Sequence, residues 1–269
     1  LIQSEVSVPI AKLNGNKLYF EVTGAGPDTI VFSHGAFLDH TLWDDVVAQL
    51  SEQFRCVTWD ARGHGMSECN GPFDYWDAAH DALGLLELAG ADTGVFVGMS
   101  QGGWLSQRAA LIAPDKVRGL VLQGTSVAPF SPEEQAGYRQ LAEAWVAMGP
   151  VGDLGGAVLD IHFGGADYDG SRFLQRWQAK PPAAWAQVWD SILGRDDIRH
   201  RMKEISCPVA VVHGSADAAL TMDTARELAS MLRTCIGTTT IVGAPHAAAL
   251  SHPRELAAAI WTLWQGLNS

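Results

Sequence analysis

The sequence predicts an α/β protein: a mostly parallel, eight-stranded sheet with helices on both faces and an inserted helical segment. Three observations predict it. Short apolar runs rich in Val, Ile and Phe alternate with stretches of helical periodicity. A G-x-S-x-G sequence, Gly98-Met-Ser-Gln-Gly102, lies between one such run and a helical pattern. The alternation lapses at about residue 127 and resumes after residue 205. A chain of 269 residues exceeds the usual single domain, but strand-helix alternations of this length often form one unit. The expected division is a core of residues 1–126 and 206–269, with residues 127–205 as a helical cap.

The first apolar runs, Val6 to Leu13 and Lys17 to Thr23, flank Asn14-Gly15-Asn16, which signals an antiparallel hairpin. Thr29 to Ser33 reads as a short buried strand ending at His34-Gly35. A helical pattern follows through Trp43, Val46, Val47 and Leu50, then a strand from Phe54 to Trp59. Strand, helix, strand implies a right-handed parallel crossover. A helix from about Asp74 to Leu88, stopped by Gly90, precedes a buried strand at Gly94 to Val97. After the G-x-S-x-G turn a helix runs to about Ile112, Pro114 ends it, and Val117 to Leu122 supplies the next strand.

From Val127 to Ser206 the pattern becomes helix-like pieces rich in Ala, Trp and Gln. Gly149-Pro150, Gly155-Gly156, Gly164-Gly165 and Pro181-Pro182 break them. The alternation returns with a strand at Val209 to Val212, a helix from about Thr221 to Leu232, a strand at Thr239 to Val242 and a helix from Pro253 to Leu267.

Composition narrows the function classes. The chain is 47% hydrophobic and 18% charged, as a folded globular protein should be. Its 18 Lys and Arg against 30 Asp and Glu give a formal charge of −12, which opposes binding to a phosphate backbone, so no nucleic-acid partner is expected. There is no run of roughly 20 apolar residues to span a bilayer, and no basic-then-apolar leader pattern, so a cytoplasmic location without a membrane partner is expected. Cys56, Cys69, Cys207 and Cys235 are too dispersed for a zinc or disulfide framework and read as reduced structural thiols. Gly63-His-Gly65 lacks the rest of a dinucleotide fingerprint, and H-E-x-x-H is absent, so neither cofactor nor metal is expected.

The chemistry centres on Ser100. A strand that turns abruptly into a helix forces the residue at the bend into strained angles, and its neighbours two positions away must be small, as Gly98 and Gly102 are. The helix N-terminus then offers the Gln101 backbone N–H to a developing oxyanion. A serine hydroxyl needs a base, and the base a carboxylate. His246, in the loop after the strand ending at Val242, is the leading base, with His252 placed at the start of the last helix. Asp217, directly after the strand ending at Val212, is the leading acid. Asp223 falls in a helix's first turn, where an acid serves the dipole.

In that order, Ser100, Asp217, His246, the chain resembles the α/β-hydrolase superfamily, with further likeness at His34-Gly35-Ala36, at Asp60-Ala-Arg-Gly-His-Gly-Met-Ser67 and in the cap's position. The resemblance implies that fold, a second oxyanion donor at the Ala36 N–H, and Phe37 beside the pocket. His34, Arg62 and His64 read as loop-bracing groups. Haloalkane dehalogenases and epoxide hydrolases of this fold carry Asp at the elbow, so Ser100 argues against both.

Of ten Trp residues, Trp145, Trp177, Trp185 and Trp189 fall in the cap and Trp104 follows the nucleophile turn. An aromatic pocket lined by Phe37, Trp104, Trp145, Trp185 and Trp189 is expected, although such rings also serve simply to bury a cap. With few cations there, the expected substrate is a small to medium, largely apolar carboxylic ester or lactone, cleaved through an acyl-enzyme. The alternatives are a ligand-binding signalling protein of the same fold, or a lyase or carbon–carbon bond hydrolase using the same residues.

Overall fold

A computed structural model describes residues 9–164 and 168–268. Val6 to Val8 of the first predicted run, and Gly165 of the Gly-Gly break, lie outside them. Strands β1 (Ile10–Leu13) and β2 (Asn16–Thr23) form the hairpin. Its two turn residues, Asn14 and Gly15, have φ of 47° and 80°, the mirror-image turn whose twist matches the strands. There follow β3 (Asp28–Ser33), α1 (Asp44–Leu50), β4 (Phe54–Trp59), α2 (Tyr75–Leu88), β5 (Gly94–Met99), α3 (Gln101–Ile112) and β6 (Val117–Gln123). After β6 come α4 (Pro132–Met148), α5 (Asp153–Phe163), α6 (Ser171–Ala179) and α7 (Ala186–Leu193). The chain then returns through β7 (Val209–Gly214), α8 (Met222–Met231), β8 (Cys235–Ile241), α9 (Ala248–Ser251) and α10 (Pro253–Leu267).

The eight strands lie in the order β1-β2-β4-β3-β5-β6-β7-β8. The first two neighbour pairs are antiparallel and the other five parallel. Strand side chains alternate between two cores. Ile30, Phe32, Val95 and Val97 join α1 and α10 on one face; Val31, Phe96, Leu120 and Leu122 join α2, α3 and α8 on the other. Burial on both faces is why these strands read as continuous apolar runs.

Local signals set the helix ends. Asp74 caps α2, with Asp77 returning a bond to the cap, and Ser131 and Glu134 do the same for α4, where Pro132 takes the first position. Strand β8 starts at Cys235, four residues before the predicted Thr239, and stops before Val242, which is 82% exposed. It is an edge strand whose residues Ile236 to Thr240 are exposed, so it lacks the apolar run that marked the others.

The four helices between β6 and β7 do not form a core of their own. Trp145, Val158, Phe163, Phe173, Trp177, Trp185 and Trp189 belong to the same apolar cluster as α1 and α10. Polar ties add to this: Arg176 to Asp39, Arg172 to the Thr41 carbonyl, and Lys180 to the Gly63 carbonyl at 2.8 Å. No described helix is long and apolar enough to cross a membrane. All four cysteines are free thiols.

Candidate active site

Ser100 stands between β5 and α3 with φ 53° and ψ −117°, a conformation costly for any residue bearing a side chain. The bend is held from both sides. Its N–H donates to the Gln123 carbonyl at 3.0 Å, and its own carbonyl accepts from Thr125 Oγ1 at 2.7 Å and from Gly103 N at 2.9 Å. A β-carbon on Gly98 would sit 2.2 Å from the Gly102 carbonyl oxygen, and one on Gly102 would sit 2.0 Å from that of Ser33. The elbow is therefore closed to larger residues at both flanking positions.

His246 and Asp217 come together at the carboxyl ends of β7 and β8. Asp217 Oδ2 accepts from His246 Nδ1 at 2.8 Å, while Oδ1 accepts the N–H groups of Ala219 and Leu220 at 2.8 and 2.9 Å. Burial opposes charge on this carboxyl. The facing His246, the Leu220 N–H and His213 outweigh it and hold the pKa below the usual carboxylate value. With Nδ1 thus committed, His246 has Nε2 left for other chemistry. Asp223 pairs with Arg226 in solvent, and His252 bonds Ser251 Oγ at the start of α10.

Two residues that no sequence pattern singled out fix this pair. Gln123 Nε2 donates to the His246 carbonyl at 2.9 Å. Gly124, at φ 49°, faces both partners: a β-carbon there would lie 3.2 Å from His246 Nδ1 and 3.3 Å from Asp217 Oδ2. Gln123 ends β6 and Gly124 follows it, where the local sequence announces only a strand.

Ser100 and His246 line one cavity of about 70 Å³, with Ala36, Phe37, Trp104, Trp189, Leu220 and residues of α4 and α5. Trp145 and Trp185 are not among its lining residues, which corrects the expectation for them. Their rings pack behind Phe37 at 5.0 and 5.7 Å between centroids and are essentially fully buried, so they shape the wall from the rear. Trp104 reaches the cavity with its N–H on Ser126 Oγ and the guanidinium of Arg195 4.0 Å from its ring. His162, on α5, also lines it, and nothing in the local sequence marked that residue.

Phe37 has φ 63°, a second strained residue beside the cavity. Gln101 opens α3, where the first N–H groups have no partner within the helix. Gln101 follows Ser100 directly, and Ala36 lines the same cavity as Ser100. The loop-bracing residues are tied as a scaffold: His34 Nε2 accepts the Ala61 N–H at 2.9 Å, its Nδ1 meets the Gly35 carbonyl at 2.7 Å, and buried Arg62 forms a two-pronged pair with Asp81.

Among the described residues, Asp39, His40 and Asp60 form the group with metal-like proximity, their ligand atoms within 4.8 Å. Their oxygens are already engaged: Asp39 by Thr41 and Arg176, Asp60 by His40 and the Met66 N–H. The guanidinium of Arg176 is the cation of that cluster.

Comparison with known proteins places the family and the fold. The model of the "Alpha/beta hydrolase family" matches residues 30–259. Among curated proteins, 3-oxoadipate enol-lactonase 1 of Acinetobacter baylyi is 27% identical over 221 residues, covering 80% of this chain and 82% of that protein. A pimeloyl-[acyl-carrier protein] methyl ester esterase of Nitrosomonas europaea is 31% identical over 218 residues, 74% of this chain and 81% of that one. A thermophilic esterase from Thermogutta terrifontis, solved with malate bound, superposes with a TM-score of 0.86 at 26% identity, over 97% of this chain and 98% of that one.

Proposed function

The chain belongs to the alpha/beta hydrolase family, and from this premise we propose that it is a serine hydrolase of small, largely apolar carboxylic esters or lactones. The observation that carries the reading is the convergence of a strained Ser100 and an Asp217-oriented His246 on one cavity. His246 Nε2 takes the Ser100 proton, and the alkoxide attacks the carbonyl carbon. The N–H groups of Gln101 and Ala36 receive the oxyanion. Collapse expels the alcohol, protonated by His246, and water repeats the cycle on the acyl-enzyme. Asp217 holds Nδ1–H in place and offsets the imidazolium charge.

The walls, mostly Phe, Trp, Leu, Val and Ile with little polar surface, favour a neutral acyl group, and about 70 Å³ of free space favours a short one. Residues 127–205 act as the cap over this space, with residues 1–126 and 206–269 as the catalytic core. Relatives with both esterase and lactonase names support ester hydrolysis in general.

The test is turnover of p-nitrophenyl esters of rising acyl length, and of small lactones, by the wild type and Ser100→Ala. Wild-type turnover should peak at short acyl chains, and the substitution should lower kcat by roughly three to six orders of magnitude. Equal near-background rates for both proteins would defeat the hydrolase reading.

A further inference from the structure

The turn that carries Asp217 has little packing of its own. Every residue from Ser215 to Leu220 is at least partly exposed, although the Asp217 carboxylate within the turn is buried. Such a segment keeps its shape through hydrogen bonds. Its first half is tied to the chain around β8: the Ser215 N–H donates to the Ile241 carbonyl at 2.9 Å and the Ala216 N–H to the Ala244 carbonyl at 3.0 Å. In its second half the Ala219 and Leu220 N–H groups are spent on Asp217 Oδ1. This half is tied back to the sheet by His213, a fully buried residue of β7, whose Nε2 meets the Leu220 carbonyl at 3.0 Å. A carbonyl oxygen only accepts, so Nε2 carries the proton in that bond. The other ring nitrogen, Nδ1, is buried with no hydrogen-bond partner among the described residues, so His213 engages its surroundings through Nε2. That same Nε2 lies 3.6 Å from Asp217 Oδ2, the oxygen that accepts from His246 Nδ1 at 2.8 Å. At 3.6 Å the contact is electrostatic rather than a hydrogen bond. Its sign is favourable: burial opposes charge on Asp217, and His246, the Leu220 N–H and His213 are the groups that outweigh it.

We infer that His213 is a positioning residue for the Asp217–His246 pair: by holding the Leu220 carbonyl it keeps the Ala219 and Leu220 N–H groups on one oxygen of Asp217, so that the other oxygen stays presented to His246. The inference rests on the serine-hydrolase reading above and adds to it the group that fixes the acid. Two substitutions separate this role from simple packing. His213→Phe keeps a buried ring and removes the donor, whereas His213→Gln gives up the ring and keeps an amide N–H at similar reach. A residue that only filled space would tolerate the first better than the second. A residue that holds the Leu220 carbonyl tolerates the second better than the first.

The experiment measures kcat and KM for p-nitrophenyl acetate with the wild type, His213→Phe, His213→Gln and Ser100→Ala. For the three proteins that keep Ser100, kcat is expressed per reactive serine, counted from the p-nitrophenol that diethyl p-nitrophenyl phosphate releases at completion, so that misfolded protein does not enter. In His213→Phe kcat should fall about tenfold to a hundredfold while KM moves by less than about threefold, because a displaced acid misplaces the base rather than the bound ester. In His213→Gln most of that loss should be recovered. A kcat unchanged in His213→Phe, a loss confined to KM, or a His213→Gln variant as slow as His213→Phe or slower would each overturn the inference and leave the hydrolase reading intact. Should the variants fail to fold, the wild type decides: a long-range proton–nitrogen NMR correlation should find the His213 ring proton on Nε2, and a proton on Nδ1 alone would overturn the inference. Wild-type rates no higher than those of Ser100→Ala would overturn the hydrolase reading, and the inference with it.

Discussion

Trp177, on α6, donates its indole N–H to the carbonyl of Phe37, the left-handed residue next to Ala36. One helix of the segment between β6 and β7 thereby holds the loop that carries a proposed oxyanion donor. Phe37 is further enclosed by the rings of Trp145, Trp177, Trp185 and Trp189, with centroids 4.7 to 6.3 Å away. The cluster supplies the contacts that keep Phe37 at a positive φ.

Trp177→Phe keeps an aromatic ring but removes the donor, and leaves the Phe37 carbonyl without it. The expected result is a fall in kcat of about tenfold to a hundredfold with KM little changed, since displacing an oxyanion donor by a fraction of an ångström acts on the transition state more than on bound substrate. Steady-state kinetics on a short-chain ester, with a melting curve, separate the cases. A lower Tm with kcat intact would mean that the bond serves stability alone.

Gly124 gives a second prediction. In Gly124→Ala the new methyl would lie 3.2 Å from His246 Nδ1 and 3.3 Å from Asp217 Oδ2, at a φ of 49°. The positive φ should cost on the order of 1 kcal/mol in stability. The crowding should separate the Asp217–His246 pair and lower kcat/KM by tenfold or more. Activity retained alongside the stability loss would show that the pair can shift without consequence.

These residues also mark how far the sequence could be read. The positions of Ser100, Asp217 and His246 near one another were legible because each follows a strand's carboxyl end within a recognisable turn, and β5 and β7 are continuous buried runs. Edge strand β8 was misplaced at its start because only one side of it meets the core. Trp145 and Trp185 were assigned to the pocket by composition, but a ring's burial does not say which wall it faces. Gln123 and Gly124 act through approaches between segments about 93 to 123 positions apart with no shared motif, and His162 joins the cavity from α5, so their places appear only once β6, α5 and the loop after β8 are assembled.

The last prediction concerns acid. His34, His64 and His162 are buried and their pKa values lie below the usual 6.5, in each case chiefly because burial disfavours the charged ring. Unfolding returns them to about 6.5, so below that pH the unfolded chain binds protons that the folded chain refuses. Stability from these groups is complete above about pH 6.5 and is lost as pH falls. His40 runs the other way: burial lowers its pKa, but Asp60 outweighs this and raises it, so its contribution is present in acid and fades as pH rises. Three groups of one sign oppose one of the other, and the net expectation is weaker folding at pH 5.5 than at pH 7.5. For His162, held near 3, the loss at pH 5.5 is on the order of 1 kcal/mol. Urea titrations at the two pH values should show it, and His162→Phe should shrink the difference between them by about that amount. An unchanged difference in the variant would mean that His162 takes up its proton in the folded protein as readily as in the unfolded one.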